Sequence, residues 1–96
     1  MKPSELLERN RAVIREVVRA HHGLNARVFG SVSRGEDTED SDLDILVDPA
    51  PEMTIFDIGA IRHELAELLG ITVDVLTPRA LPDRARDQVI AEAVPV

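Results

Sequence analysis

Apolar residues recur along the chain with periods that predict three helices separated by strands. From Ser4, the expected N-cap, the apolar positions follow helical spacing up to Gly23, which is expected to end the first helix. A capping-box pattern opens a second predicted helix over residues 54–69. A third amphipathic helix is predicted over residues 83–93. About half of the residues fall in the predicted helices, and short segments of β-type composition lie between them.

Three short segments have the composition and alternation of β-strands: residues 26–29, 42–48 and 71–76. In the second strand, Asp42 and Asp44 share one face and the aliphatic residues share the other. The element order α-β-β-α-β-α predicts one domain over residues 1–96, of the α/β (α+β) class, with helices and strands around a common core. The helices are expected to cover the apolar face of the sheet. The opposite face carries aspartates and is expected to stay uncovered.

Composition excludes several classes of function. The 96 residues include no cysteine, which excludes disulfides, cysteine–zinc sites and thiol nucleophiles. The formal net charge of −7 argues against direct nucleic-acid binding, because such a surface repels phosphate backbones. No apolar run is long enough to span a membrane, and no signal-peptide core is present. We therefore expect a soluble cytoplasmic protein with no membrane association.

The segment 35–61 contains nine acids and no lysine or arginine. Most such runs are solvated loops that keep a small domain soluble. Asp42 and Asp44, however, are predicted to lie within an apolar strand, where their mutual repulsion is unfavourable. Residues i and i+2 of a strand are about 6.6 Å apart on one face, so the two carboxylates can converge on Mg²⁺. A calcium loop over the same residues fails, since Ile45 and Pro51 replace its required Gly and Glu.

A Gly30-Ser31 turn follows the first predicted strand. Glycine permits close backbone approach there, and the following N–H groups can point at a phosphate. The P-loop and dinucleotide-binding glycine signatures are absent. Arg34 is the one cation between Gly30 and Arg62, and two interpretations stay open for it: an ion pair with the acidic loop, or a triphosphate clamp.

The combined pattern is more specific than its parts. Gly30-Ser31, ten further residues, and then Asp42-Leu43-Asp44 form the pattern G-S-x10-D-x-D. It resembles the signature of the nucleotidyltransferase superfamily that includes the family-X DNA polymerases. More closely, the chain resembles the minimal nucleotidyltransferases, antitoxin-type partners of HEPN-domain ribonucleases, over nearly its whole length. The resemblance implies a small palm-like fold, a mixed sheet with helices on one face and the active site on the other.

The resemblance also implies roles for the phosphate-binding residues. Gly30 and Ser31 would bind the β- and γ-phosphates of a nucleoside triphosphate. Arg34 matches a basic residue common in this loop of the family, and it would assist nucleotide binding.

The resemblance further implies a metal site formed by three carboxylates. Asp42 and Asp44 would bind two Mg²⁺ ions. Asp74, in the third predicted strand, would be the third carboxylate of the superfamily, would bind the metal nearest the acceptor and could help to deprotonate it. The alternative for Asp74 is an exposed polar residue on an edge strand.

These expectations combine into a functional hypothesis of metal-dependent nucleotidyl transfer. AMP from ATP would pass to a hydroxyl, expected to be a tyrosine, on a HEPN-domain toxin in a protein–protein complex, and pyrophosphate would leave. One alternative is a non-catalytic antitoxin that covers a basic RNA groove of the toxin with its acidic surface. Another is nucleotide sensing without transfer.

Overall fold

A computed structural model describes residues 1–96 as three helices and one four-stranded sheet. A single 3-10 turn, Pro78–Ala80, lies between the third strand and the last helix. The helices are α1 (Pro3–Ala20), α2 (Ile55–Leu69) and α3 (Asp83–Glu92), and the strands are β1 (Gly23–Phe29), β2 (Leu43–Pro49), β3 (Val73–Leu76) and β4 (Val94–Pro95).

The sheet is mixed, with the strand order β3-β2-β1-β4. β1 is antiparallel to both β2 and β4, whereas β2 and β3 are parallel. The parallel pair needs a crossover connection, and α2 provides it. The predicted fold class is confirmed. The predicted strands were offset by a few residues: β1 starts earlier, β3 starts later, and Asp42 lies directly before β2 instead of inside it.

The core lies between one face of the sheet and helices α1 and α2. It is aliphatic, as the near-absence of aromatic residues requires. Ile14 of α1, Ile45 of β2 and Ile61 of α2 are fully buried in the same cluster. The alternation of β2 places Asp44 on the opposite face, so core burial on one side orients the carboxylate on the other.

The sheet face that carries Asp44 is uncovered near Asp44 and covered further along β2. Leu46 lies two residues further along β2 and is fully buried, although it is not part of the main core cluster. Leu81 is buried and also lies outside that cluster, and the turn over residues 78–80 contacts β2. The expectation of an uncovered face therefore holds near Asp44 and fails near Leu46, where the segment after β3 folds back over the sheet.

Helix α1 does not start as predicted. Its N-cap is Lys2, and Pro3 occupies the first helical position, where a missing N–H is harmless. Ser4 is not the cap: its N–H donates to the Asp37 carboxylate at 2.9 Å. Asp37 is 7% exposed, and although burial opposes ionisation, the hydrogen bonds from Ser4 hold its pKa below the usual range. A carboxylate 33 residues away thus caps the helix, which no local pattern indicates.

Gly23 does not end α1. The helix stops at Ala20, and His22 adopts the left-handed conformation with φ of 65°. Gly23 instead begins β1, where a Cβ would lie 2.6 Å from a methyl carbon of Val18. The glycine permits close approach of β1 to α1.

The C-terminal residues form a strand that the periodicity did not predict. Val94 and Pro95 pair with Val28 and Arg27, and the Val96 N–H donates to Ala26 at 3.0 Å. A two-residue strand is too short to show alternation. Its pairing draws the end of α3 towards β1.

None of the three helices combines the length and the apolar character that crossing a membrane requires.

Replacing Ile61 by alanine should lower the free energy of unfolding by about 3 kcal/mol, because it opens a cavity in a fully buried part of the core. Urea denaturation followed by circular dichroism measures the change. Ile55→Ala, at a side chain that is 80% exposed, is the matched control and should change stability by less than about 0.5 kcal/mol. Equal effects of the two substitutions would contradict the described packing of α2.

Candidate active site

Three aspartates meet where β2 and β3 run side by side. The parallel register pairs Asp44 directly with Asp74, and Asp42 lies two residues before Asp44 on the same side of the chain. On the other flank, the antiparallel register places Phe29 of β1 opposite Asp44. The structure therefore brings together the three carboxylates expected from the sequence, and Asp74 lies in the edge strand.

The proximity of these carboxylates changes the acidity of Asp44. Partial burial, followed by the negative charges of Asp74 and Asp42 and a hydrogen bond with Asp74, raises the pKa of Asp44 to about 6. The positive charge of Arg34 opposes this shift. A carboxyl that resists ionisation because like charges surround it is typical of a site that receives a cation.

None of the three carboxylates in this cluster forms an ion pair. Asp42, Asp44 and Asp74 form no salt bridge, whereas Asp48, on the same face, is paired with Arg27 at 2.6 Å. Their side chains also do not close into a preformed cage of three or more metal ligands. Mg²⁺ suits such a donor set, because it binds one or two carboxylates and completes its shell with water and substrate phosphates.

The Gly30-Ser31 turn lies directly against the carboxylates. Gly30 has φ of 71°, in the left-handed region that favours glycine, and a Cβ at this position would collide with the Asp44 carboxylate. Both the backbone angle and the contact require glycine here. The first half of the G-S-x10-D-x-D pattern is thereby placed against the second half.

The residues after Gly30 form a hydrogen-bonded turn. The N–H groups of Arg34 and Glu36 donate to the carbonyls of Gly30 and Ser31, and the Ser33 hydroxyl also donates to the Gly30 carbonyl. The N–H groups of Ser31, Val32 and Ser33 donate to no protein acceptor. Free N–H groups at the start of a turn form an anion-binding arrangement next to the aspartates.

Arg34 extends from this turn and is close enough to Asp44 to influence its pKa. Its guanidinium pairs with Glu36 of the acidic loop at 3.4 Å and with Glu92 at the end of α3 at 3.6 Å. The first of the two interpretations, an ion pair with the loop, describes this conformation. The pair with Glu92 was not predicted, since it depends on the pairing of β4.

A cavity of about 390 Å³ adjoins the carboxylates, and its lining includes residues that the sequence did not single out. Asp44, Asp74 and Phe29 contribute from the sheet, and Ile55 and Arg62 contribute from α2. Periodicity places Ile55 and Arg62 on a helix without showing that the helix borders the site. The only sequence signal was Gly59, a glycine in the middle of a helix, which lines the same cavity.

Comparison with known families decides what this arrangement is. The model of the nucleotidyltransferase domain family matches residues 11–96 of the chain. The chain belongs to this family. The sequence-based expectation of a nucleotidyltransferase is confirmed at this level, and so is the resemblance to its minimal members. A solved structure of a predicted minimal nucleotidyltransferase has 41% identity and a TM-score of 0.87, covering 97% of this chain and 95% of that one.

Two sequence relatives are named for their activity. A predicted protein adenylyltransferase of Methanocaldococcus jannaschii is 41% identical over 78% of this chain and 82% of its own length. Protein adenylyltransferase MntA of Thermococcus cleftensis is 39% identical over 70% of this chain and 68% of its own length.

Two solved complexes contain similar chains. A toxin–antitoxin complex with AMP-PNP has 25% identity and a TM-score of 0.75, covering 90% of this nucleotidyltransferase and 71% of the matched chain. The fold also matches a complex of a tri-AMPylated Shewanella oneidensis HEPN toxin with its antitoxin, at 22% identity and a TM-score of 0.68, covering 92% of this chain and 69% of that one.

Replacing Asp44 by asparagine should stabilise the metal-free protein at about pH 8 and have little effect at about pH 4. The pKa of Asp44 is raised in the fold from 3.8 to about 6, so between these values the unfolded chain loses its proton first. The free energy of unfolding therefore falls as the pH rises through this window. The substituted asparagine carries no charge to be repelled, and we expect a gain of about 1 kcal/mol after solvent screening of this half-exposed group.

Urea denaturation in EDTA at the two pH values measures this difference. Asp40→Asn is the control, because Asp40 is an exposed acid without an ion pair in the loop that precedes β2. A similar gain in both variants, or a larger gain at low pH, would contradict the described crowding of carboxylates.

Proposed function

We propose that this nucleotidyltransferase transfers AMP from ATP to a hydroxyl of a protein partner, a HEPN-domain toxin, and thereby acts as its antitoxin. The observation that carries the proposal is the cluster of Asp42, Asp44 and Asp74 against the Gly30-Ser31 turn. The names of the two relatives, both protein adenylyltransferases, support the reaction type. The complex with AMP-PNP at 25% identity supports both an adenine nucleotide and a toxin partner.

The triphosphate would bind on the β1 side of the carboxylates. There, the free N–H groups after Gly30 can donate to the β- and γ-phosphate oxygens, and Ser31 adds a hydroxyl. Arg34 would exchange its exposed pairs with Glu36 and Glu92 for the more highly charged phosphates, because surface ion pairs contribute little. This side of the site therefore holds the leaving pyrophosphate.

Asp42, Asp44 and Asp74 would hold two Mg²⁺ ions together with the substrate phosphates. When bound, such ions neutralise charge on the triphosphate and orient it for in-line displacement. Without a divalent cation, the unpaired carboxylates would repel the nucleotide, so binding of ATP and of metal should depend on each other.

The acceptor hydroxyl would approach on the β3 side, opposite the leaving group. Asp74 is the carboxylate nearest this side, and it would accept the proton as the hydroxyl oxygen attacks the α-phosphate. The chain contains no tyrosine, so a tyrosine acceptor has to come from the partner. We propose this residue type because the family resemblance implies it.

Exposed apolar side chains beside the site support a protein acceptor. Ile55, which lines the cavity shared by Asp44 and Asp74, is 80% exposed, and the neighbouring Phe56 is 83% exposed. Phe56 is one of only two aromatic residues in the chain. Large apolar groups that remain in water at the edge of a site favour contact with another protein.

The second candidate function is neutralisation by binding alone. The net charge of −7 and the exposed Ile55–Phe56 pair would serve a blocking antitoxin equally well. A blocker, however, has no need for three unpaired carboxylates aligned by strand register. Catalysis is therefore the better-supported function.

In a reaction with Mg²⁺, the purified chain should transfer label from ATP labelled at the α-phosphate to a purified HEPN-domain protein. It should transfer no label from the γ-phosphate. Asp44→Asn should lower this transfer at least about a hundredfold, because it removes a charge from the metal site while leaving the strand intact. Gel autoradiography of the toxin measures both, and Asp40→Asn serves as the control.

If Asp44→Asn transferred no label but rescued growth as well as the unmodified chain, the result would favour neutralisation of the toxin by binding alone. Label arriving from the γ-phosphate would instead indicate a kinase and refute nucleotidyl transfer.

Replacing Phe56 by serine should weaken the complex with the toxin about tenfold or more, since a nearly fully exposed aromatic side chain gains most from burial at an interface. Titration calorimetry measures the dissociation constant. Leu24→Ser, a half-exposed apolar site on β1, is the control and should leave the affinity nearly unchanged. Unaltered affinity of the Phe56 variant would place the interface elsewhere.

A further inference from the structure

The Arg34 side chain is already engaged by two acids where it extends from the turn after Gly30. Its Nε lies 3.4 Å from a carboxylate oxygen of Glu36, and its Nη1 lies 3.6 Å from a carboxylate oxygen of Glu92. Glu36 belongs to the same loop, so its pair with Arg34 depends on local chain geometry alone. Glu92 is the last residue of α3. A distant part of the chain therefore binds the guanidinium that would otherwise be free for an anion.

The position of Glu92 depends on the C-terminal segment and not on core packing. No residue of α3 is buried. After α3, the two residues of β4 pair with the edge of β1, and the Val96 N–H donates to the Ala26 carbonyl at 3.0 Å. The Arg15 guanidinium of α1 donates to the Val96 carbonyl at 2.9 Å. A segment attached by so few contacts opens locally at a low cost in free energy.

The pair between Glu92 and Arg34 matters little to the stability of the fold. The Glu92 side chain is 34% exposed and that of Arg34 is 45% exposed, and ion pairs with such exposure contribute little. The Glu92 carboxylate also accepts a hydrogen bond from the Gln88 side chain within α3. The consequence of the pair therefore falls mainly on Arg34, whose charge already reaches Asp44.

We propose that Glu92, placed by the pairing of β4 with β1, forms an autoinhibitory contact with Arg34 that lowers the affinity of the site for a nucleoside triphosphate. This inference rests on the proposed function, in which the triphosphate binds beside the Gly30-Ser31 turn. The phosphates gain the Arg34 guanidinium only when its pair with Glu92 breaks. Glu36 competes in the same way whether or not β4 is paired, so only Glu92 can link the C-terminal segment to the site.

The linkage acts in both directions. If pairing of β4 weakens nucleotide binding by some factor, nucleotide binding must weaken the pairing of β4 by the same factor. Loosening of β4 from β1 would thus raise the nucleotide affinity without any change at the three aspartates. The C-terminal segment becomes a point at which the site can be regulated.

The first experiment measures nucleotide affinity by titration calorimetry of the complete chain with AMP-PNP in Mg²⁺. Glu92→Gln should lower the dissociation constant about threefold, the size expected when a partly exposed ion pair is released. Arg34→Gln should raise the dissociation constant and abolish this effect, so that adding Glu92→Gln to it changes the constant by less than about 1.5-fold. The double-mutant cycle separates competition for Arg34 from direct repulsion between Glu92 and the phosphates.

Asp87→Asn is the matched control. Asp87 is an exposed acid of the same helix without an ion pair, and the helical period places it on a different face of α3 from Glu92. The substitution changes the net charge by the same amount, so it tests for a general effect of charge on nucleotide binding. It should leave the dissociation constant unchanged within about 1.5-fold, since charges outside the site are screened by salt.

The second experiment measures the reverse effect by hydrogen exchange, followed by NMR. Saturation with AMP-PNP in Mg²⁺ should speed the exchange of the Val96 amide about threefold, because the nucleotide removes the Glu92 contact that helps to keep β4 paired. The amides of β2 should not exchange faster. In Glu92→Gln, the nucleotide should no longer speed exchange at Val96.

Four outcomes would overturn the inference while leaving the proposed function intact: an unchanged dissociation constant for Glu92→Gln, an equal gain from Asp87→Asn, a gain that persists in the Arg34→Gln background, or exchange at Val96 that the nucleotide does not speed. Absence of any AMP-PNP binding by the unmodified chain in Mg²⁺ would refute the proposed function itself.

Discussion

The placement of Asp42, Asp44 and Asp74 close to one another is the constraint on which the rest of the site depends. None of the three forms an ion pair, and partial burial together with the negative charges of Asp74 and Asp42 raises the pKa of Asp44 to about 6. The aliphatic residues on the reverse side of β2 and β3 hold these charges together. Because Ile45 must stay in the core, Asp44 must face out, and a slip of one residue would reverse both. The hydrophobic core thus maintains an arrangement that is unfavourable without a divalent cation.

The surroundings of the carboxylates divide the site into two sides. On the β1 side, Gly30 allows a turn with free N–H groups to touch the Asp44 carboxylate, and Arg34 lies nearby. On the β3 side, α2 contributes Arg62 beside Asp74. This two-sided arrangement agrees with the proposed in-line displacement, in which pyrophosphate leaves on one side and the acceptor enters on the other.

The features of the fold that the sequence pattern predicted correctly are those that depend on residues close together in the chain. The capping box of Thr54 and Asp57 does begin α2, and Gly70, with φ of 69°, does end it. The alternation in β2 also follows from short-range rules. The errors arose where a distant residue replaced a local one. Asp37, 33 residues along the chain, binds the Ser4 N–H, which left the predicted N-cap at Ser4 wrong. β4 exists only because β1 offers it an open edge.

The sequence by itself determined the family, the spacing of the Gly30-Ser31 turn from the D-x-D pair, and the face of β2 on which Asp44 lies. These follow from residue order and from the two-residue period of a strand, which act over short distances. Only the tertiary structure decided that Asp74 lies beside Asp44, that Arg62 lines the cavity with both, and that Glu92 reaches Arg34. Those neighbours depend on strand register and on the path of the crossover helix, since residues far apart in the chain become adjacent only when the core packs.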